Sequence, residues 1–540
     1  MFSYKERSTI LNTLNHYTFD VLVIGGGITG AGIALDAASR GLSVALVDMQ
    51  DFAAGTSSRS TKLIHGGLRY LKQFEVGLVA EVGREREIVY ENAVHVTKPE
   101  WMLLPLYKKG TLGKFTTSAA LTLYDRLARV RPNERRKMLN KKETLQKVPI
   151  LKEDGLLGAG YYVEYKTDDA RLTLEVIKKA LEFKAVCINY ARVTGFEYKK
   201  KKIVAANVRD EISGISITIH AHRIVNATGP WVDDVRKMDK VHNNKQVRHT
   251  KGIHIVFDQS KLPLQQAVYF DTEDGRMVFA IPRGGKTYVG TTDTFYDDDP
   301  IQPVASAEDV TYLLNATRFI FPKIDITEKD IESSWAGIRP LIFEKGKNPS
   351  EISRKDEIWS SPSGLVTIAG GKLTGYRQMA ETIVDEIIKK HKFKHAQKSN
   401  TKFLPLSGAK GLNSINFHDF VANKAKEGEQ LGISYNESKP LVEKYGTNVD
   451  DVFHFIRKGN ETNLPNPLYA ELLYSIYFEM ALTPSDFFIR RTGYLYFDME
   501  LVKKYKDKVI EVMSNTIGYS ESEKIFYQMQ LEQFIDEATI

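Results

Sequence analysis

The sequence predicts an α/β fold with α+β elements, divided over more than one domain. Three observations carry that reading: an opening β-α-β unit with a glycine-rich turn, a later group of short strands, and a polar helical region at the end. Phe19 to Ile24 is a short Val- and Ile-rich run closed by Gly25, the pattern of a buried strand. Gly27 to Arg40 carries Ile28, Ile33, Leu35 and Ala38 at helical spacing, and Gly41 ends it. Ser43 to Val47 is a second buried strand that stops at Asp48. Further along, Leu78 to Asn92 reads as a charged helix and Thr173 to Phe183 as another, with Asp168 and Asp169 as candidate caps. Gly252 to Phe257, Met277 to Ile281 and Tyr288 to Gly290 read as strands of a mostly antiparallel sheet. Beyond about Lys402 the chain is helical and polar, with an apolar block at Tyr469 to Leu482.

Composition narrows the class. A chain of 540 residues is too long for one ordinary domain, and 42% hydrophobic against 26% charged residues is a globular balance. Lys plus Arg exceeds Asp plus Glu by 75 − 68 = 7, too small an excess to argue for nucleic acid. The single Cys187 excludes an internal disulfide and a thiolate metal cluster, and suits a reducing compartment. Met1 to Tyr17 is not a secretory signal, and no window reaches the roughly 18 apolar residues of a membrane span. No metal site is expected.

Gly25, Gly27 and Gly30 fit G-x-G-x-x-G at the point where a strand turns into a helix. There the first glycine permits the turn, the second lets the backbone approach a pyrophosphate, and the third lets helix and strand pack closely. Helix-start amides at Ile28 and Thr29 face the phosphates, and Asp48 stands at the spacing of a ribose ligand. Three remote segments favour FAD over NAD: Thr56 to Lys62, dense in hydroxyls; Ala227-Thr228-Gly229-Pro230 after an apolar strand; and Gly370 to Gly375, which opens a helix. A long cofactor running through the protein needs contacts scattered in this way, although each segment alone reads better as an ordinary turn.

Lys62 to Tyr70, Lys251 to Val256, Gly290 to Asp293, Gly337 to Leu341 and Gly371 to Arg377 resemble, in order, the motifs of the FAD-dependent (aerobic) glycerol-3-phosphate dehydrogenase family. Glu479 to Thr483 and Arg490-Arg491-Thr492 resemble its helical C-terminal domain. The resemblance implies a Rossmann-type FAD domain assembled from residues 1–97, 149–240 and 336–395. It implies a D-amino-acid-oxidase-like substrate domain from 98–148 and 241–335, and a helical C-terminal domain over 396–540. It implies FAD and oxidation of sn-glycerol 3-phosphate, with electrons passing to a membrane quinone; no Cys or His stands in a familiar flavin-linkage motif, so the FAD is expected to be non-covalent. Cofactor contacts are implied at Gly25, Gly27, Ile28, Thr29, Gly30 and Asp48, and at Thr56, Ser57, Ser58, Lys62, Leu63, His65, Gly66 and Gly67. Further along they are implied at Val193, Ala227, Thr228, Gly229, Trp231, Arg339, Gly371, Lys372, Leu373 and Thr374.

Such a substrate is a phosphate dianion with a secondary alcohol. Its phosphate calls for Arg, whose planar fork matches two oxygens; Arg69 and Arg339 fill that role by resemblance, with Tyr70 as a hydroxyl donor. Pro340 biases Arg339 away from helix, towards a strand end or loop. The alcohol needs a base, and His65 and His254 both lie in matched motifs. Lys372, at a helix start, supplies fixed positive charge to substrate or reduced cofactor. Residue types do not decide which His is the base, nor whether the acceptor is quinone or oxygen.

Between Trp101 and Lys142 stand Lys108, Lys109, Lys114, Arg126, Arg129, Arg131, Arg135, Arg136 and Lys137, interleaved with Leu and aromatic residues. This pattern fits a surface on anionic lipid as well as it fits a solvated face of a core helix. The family's peripheral habit favours lipid, and with it a cytoplasmic protein on the inner face of the cell membrane; a homodimer is a further expectation. Rival readings are an oxidase that passes electrons to oxygen, an amino-acid oxidase on the same fold, and a non-catalytic basic binding module.

Overall fold

The computed structural model describes residues 2–65, 76–108, 110, 114–127, 130–240, 245–343 and 356–540. Its centre is two sheets. In the first, strands run in the order Glu357–Ser360, Val366–Ala369, Ser216–Asn226, Thr18–Ile24, Val44–Val47, Val186–Ile188. All pairings in that row are parallel except the outermost one, Glu357–Ser360 against Val366–Ala369. The strands are continuous apolar runs because both faces are covered, as parallel sheets require. The helix Ile28–Ser39 packs beside Asp169–Glu182 and Tyr376–His391 over one face. Gly41 sits at φ +91°, just past the end of the first helix, as expected from its C-terminal signal. The helix Asp169–Glu182 starts four residues earlier than the apolar spacing suggests, because the Asp168 carboxylate accepts the Arg171 amide (3.0 Å).

The second sheet is mostly antiparallel, in the order Thr294–Phe295, Val247–Asp258, Lys286–Gly290, Met277–Arg283, Ala267–Asp271, Thr97–Tyr107, Leu156–Thr167, Leu63–Ile64. Ile331–Ile342 pairs along the other edge of Val247–Asp258. This places Leu63–Ile64, Leu156–Thr167 and the whole of Ile331–Ile342 in the second sheet, where the sequence reading put them wholly or partly in the nucleotide domain. Strand pairing is decided by partners about 50 to 100 residues away, so segment boundaries drawn on local pattern cut across it.

The basic aromatic stretch begins inside this sheet. Thr97–Tyr107 lies between Leu156–Thr167 and Ala267–Asp271, with Met102, Leu103, Leu104 and Leu106 buried. It is a core strand, not a lipid-facing surface. Arg131 is tied to Glu87 (2.7 Å) and Glu91, and Arg136 donates to Thr122 Oγ1 (3.0 Å), which leaves Lys108, Arg126, Arg135 and Lys137 exposed.

The C-terminal helices form their own core around Val442, Tyr445, Phe453 and Tyr474. A second apolar seam joins them to the antiparallel sheet: Leu472, Phe487, Phe488 and Met513 pack with Leu104, Tyr288 and Trp335. No helix among the described residues is long and apolar enough to cross a membrane.

Candidate functional site

The site is built from the end of the parallel sheet outward. Gly25 takes φ +106°, and a Cβ there would stand 2.6 Å from the Ala227 carbonyl oxygen. A Cβ on Gly30 would stand 1.8 Å from the Gly25 oxygen, so only glycine lets this helix sit so close on its strand. Gly27 begins the helix with no side-chain cap, and Ser57 Oγ accepts the Ile28 amide (2.9 Å). The amides and dipole of this helix start suit a phosphate group.

Asp48 ends its strand beneath the turn. Its carboxylate accepts the Gly26 amide (2.6 Å) and the Gln50 amide (2.8 Å). Burial pushes its pKa up to about 7 against the pull of those amides. Asn226 shapes the neighbouring turn: its side-chain oxygen accepts the Thr228 hydroxyl (2.7 Å) and its amide donates to Val232 O (2.8 Å).

A cavity of about 370 Å³ runs from here towards the second sheet. Gly25, Gly27, Ile28, Thr29 and Asp48 line it, with Thr56, Ser57, Leu63, His65, Val193, Ala227, Thr228, Gly229 and Trp231. Gly371, Lys372, Leu373 and Thr374 close it from the remote helix start, and His254 and Arg339 from the antiparallel sheet. The scattered segments thus converge on one elongated set of contacts. Thr374 fastens two of them, its hydroxyl 3.2 Å from both the amide and the carbonyl of His65. The helix-start cradle, the acid beside it and the converging segments fit a flavin dinucleotide.

At the far end, register decides the chemistry. His254 lies directly across from Gly290 on one side and from Trp335 on the other. A Cβ on Gly290 would fall 2.1 Å from the imidazole, so that glycine makes the space for the ring. Trp335 stacks on the ring, and His254 Nε2 lies 3.0 Å from Thr61 Oγ1. Burial, with Arg339 and Lys62 nearby, holds the His254 pKa well below its ordinary value, so the ring is neutral. Gly252 and Gly337 are likewise cross-strand partners. A Cβ on Gly252 would meet the Arg339 guanidinium at 2.2 Å, so the missing side chain lets Arg339 lie across the strand. Arg339 Nη2 donates to Thr291 Oγ1 (2.9 Å) and Nη1 to Thr292 O and Asp293 Oδ1 (3.3 Å each). Arg339 is in a strand three residues from its end, as Pro340 suggests.

Other expected contacts go elsewhere. Lys62 is buried with its ammonium on Asp169 Oδ1 (2.6 Å) and Ser58 O (2.9 Å), and neither it nor Ser58 lines the cavity. Asp169 is itself fully buried, and Lys62 is its counter-charge. Gly30 acts through helix packing and does not line the cavity either. Gly66, Gly67, Arg69 and Tyr70 lie outside the described residues. The cavity also takes in Met49, Gln50 and Arg192, which the sequence reading missed because they stand in no spaced motif of their own, and Arg59 from the hydroxyl-rich segment. Among the described residues no cluster of His, Cys, Asp and Glu is arranged to hold a metal.

The comparisons agree with this architecture. The profile of the FAD dependent oxidoreductase family matches residues 20–377, and that of the C-terminal domain of alpha-glycerophosphate oxidase matches 399–524. The aerobic glycerol-3-phosphate dehydrogenase of Bacillus subtilis is 56% identical, covering 100% of this chain and 98% of its own. That of Staphylococcus haemolyticus is 55% identical, covering 99% and 97%. The crystal structure of the Bacillus halodurans glycerol-3-phosphate dehydrogenase complexed with FAD superposes with a TM-score of 0.88 at 44% identity, covering 100% of this chain and 99% of that one. The chain belongs to the FAD dependent oxidoreductase family and, within it, to the aerobic glycerol-3-phosphate dehydrogenases.

Proposed function

We propose that this chain oxidises sn-glycerol 3-phosphate to dihydroxyacetone phosphate. The observation that carries the reading is Arg339, a guanidinium held by Thr291, Thr292 and Asp293 at the cavity wall, on the strand that pairs with that of His254. Arg339 and Lys372 bind and orient the phosphate dianion, with Arg69 and Tyr70 adding to that set by sequence resemblance. FAD, held at Gly25–Thr29, Asp48, Ala227–Gly229 and Gly371–Thr374, supplies the acceptor for the hydride that leaves carbon-2.

The alcohol proton needs a base. A ring as buried as His254, beside two cations, holds a proton poorly. His65 is half-buried, lines the same cavity and is fixed through its backbone by Thr374, so it takes the proton. His254 then acts as a neutral hydrogen-bonding wall. Anaerobic addition of glycerol 3-phosphate to the purified protein is expected to bleach the flavin band; an unchanged spectrum overturns the proposal. His65→Ala should cut the rate of bleaching about 10²–10⁴-fold, as expected for loss of a general base.

The electrons pass on to a membrane quinone, and the protein sits peripherally on anionic lipid at the inner face of the membrane. The exposed basic side chains Lys108, Arg135 and Lys137 support the lipid contact. Co-flotation with anionic vesicles, lost on neutralising Arg135 and Lys137, is the expected result. A stoichiometric peroxide yield in air would instead make the protein an oxidase.

A further inference from the structure

Among the described residues, nothing from the C-terminal helical region lines the cavity. Yet two of its side chains reach the segment that does. Residues 48–57 leave the second strand and supply Asp48, Met49, Gln50, Ala54, Gly55, Thr56 and Ser57 to the cavity wall. At the bend of that segment stands Asp51, fully buried. Arg491 grips it with both terminal nitrogens, Nη1 to Oδ2 (2.6 Å) and Nη2 to Oδ1 (2.9 Å), and Arg490 Nε adds a third bond. Asn189 donates a fourth, to Oδ1 (2.8 Å). Both arginines come from one π-helical turn, Asp486–Arg491, an irregularity often found at functional positions.

The bend is bonded to the nucleotide turn on both sides. The Ala53 amide donates to Gly26 O (3.1 Å), and Ala54 donates to Asp51 O (3.2 Å). Tyr190 and Ala191 amides pin Gln50 O (2.8 Å) and Asp48 O (2.6 Å). Charge follows the same route. Asp51 and Arg490 are the charged groups that act on Asp48, the first raising its pKa and the second lowering it. Around Asp51 stand Arg490 and Arg491, with Asp486 and Tyr190 on the far side of Arg490 and Arg7 bonded to Asn189.

We propose that Arg490 and Arg491 are positioning residues for FAD: through Asp51 they hold residues 48–57 against the nucleotide turn and offset the negative charge beside Asp48. The helical region thereby controls cofactor retention without touching the cofactor. If Arg490 is lost, Asp51 faces Asp48 with less compensation. Asp48 then takes up a proton at higher pH and gives up an acceptor site for the Gly26 amide and the ribose.

The test follows flavin release from the holoenzyme by fluorescence, as a function of pH, and is independent of substrate. Arg490→Met is expected to release FAD about tenfold faster at neutral pH. Its acid-promoted release should set in at a higher pH than in the wild type. Arg490→Lys keeps the charge and should restore most of both properties; Arg491→Met should behave like Arg490→Met where it folds. Glu471→Gln is the control: this buried carboxylate accepts from Lys444, Tyr445 and Tyr494 inside the helical region alone. It should lower the melting temperature and leave release unchanged. Wild-type release and pH profile in Arg490→Met overturn the proposal. So does equal acceleration in Glu471→Gln, which would make general stability the cause.

Discussion

Trp335 lies flat against His254, with ring centroids 4.6 Å apart and planes 11° from parallel. The two are cross-strand partners, and the indole nitrogen donates to Ser60 O (3.2 Å), so the stack is fixed at both ends. Trp335→Phe keeps a ring but loses that bond, and should cost about 1 kcal/mol in urea unfolding with little change in turnover. Trp335→Ala opens the space beside His254 and should cost about 3–5 kcal/mol. Its kcat with a dye acceptor should fall more than its KM rises, because the imidazole is no longer held. Equal stability in the two variants would show that the stack is not what holds the ring.

Two buried histidines should make the protein acid-sensitive. Burial holds His95 down to about 3 and His254 well below its ordinary value. Both rings are neutral when folded and take up a proton near pH 6.5 once unfolded. The unfolded chain therefore binds more protons in acid, so stability is full above about pH 6.5 and falls below it, by about 1.4 kcal/mol per pH unit for each ring. His95→Leu should remove one such slope, seen as a flatter dependence of unfolding free energy on pH between about 6.5 and 5. An unchanged slope would place the His95 proton uptake elsewhere.

Gly30→Ala should separate from Gly27→Ala. The first places a Cβ 1.8 Å from a backbone oxygen, the second 3.0 Å from the Ser57 hydroxyl, which can rotate away. Gly30→Ala is expected to lose about 1–3 kcal/mol or more and to purify with little flavin. Gly27→Ala should keep its fold, and its flavin content reports how closely the pyrophosphate approaches.

Lys62→Met tests the reassignment of that lysine. With Asp169 left buried without its cation, held only by Ser60 and the Ala170 amide, stability should fall by about 3–5 kcal/mol. The flavin spectrum of the folded fraction should be unchanged. A normal melting curve with a shifted flavin band would restore the cofactor contact.

Arg339→Met should reduce kcat/KM for glycerol 3-phosphate by about 30- to 5,000-fold, the range expected for truncating one partner of a close charge pair at about 2–5 kcal/mol. Arg339→Lys should recover only part, since one ammonium does not replace a planar fork. Steady-state dye reduction measures both.

Much of the nucleotide half was legible in the chain. Its signals are local: Gly25, Gly27 and Gly30 lie within six residues, and Asp48 follows at the end of the next strand. The antiparallel strands were legible too, though not their partners. Trp101 to Tyr107 reads as the start of a basic aromatic stretch because the cations that follow in the sequence mask a buried strand, and burial is conferred by Leu156–Thr167 and Ala267–Asp271. Arg69 and Tyr70 remain expectations of the sequence.

The sequence by itself determined the dinucleotide turn, because backbone sterics at Gly25 and Gly30 act over a few residues and permit little else. Only the tertiary structure decided which charges line the cavity and which hold the frame. Lys62 and Arg339 are both cations in glycine- and hydroxyl-rich motifs, alike in pattern. One faces a buried Asp169 107 residues away, and the other crosses the gap left by Gly252 into the cavity. Burial and register separate them, and both are set by segments that meet only when the chain is folded.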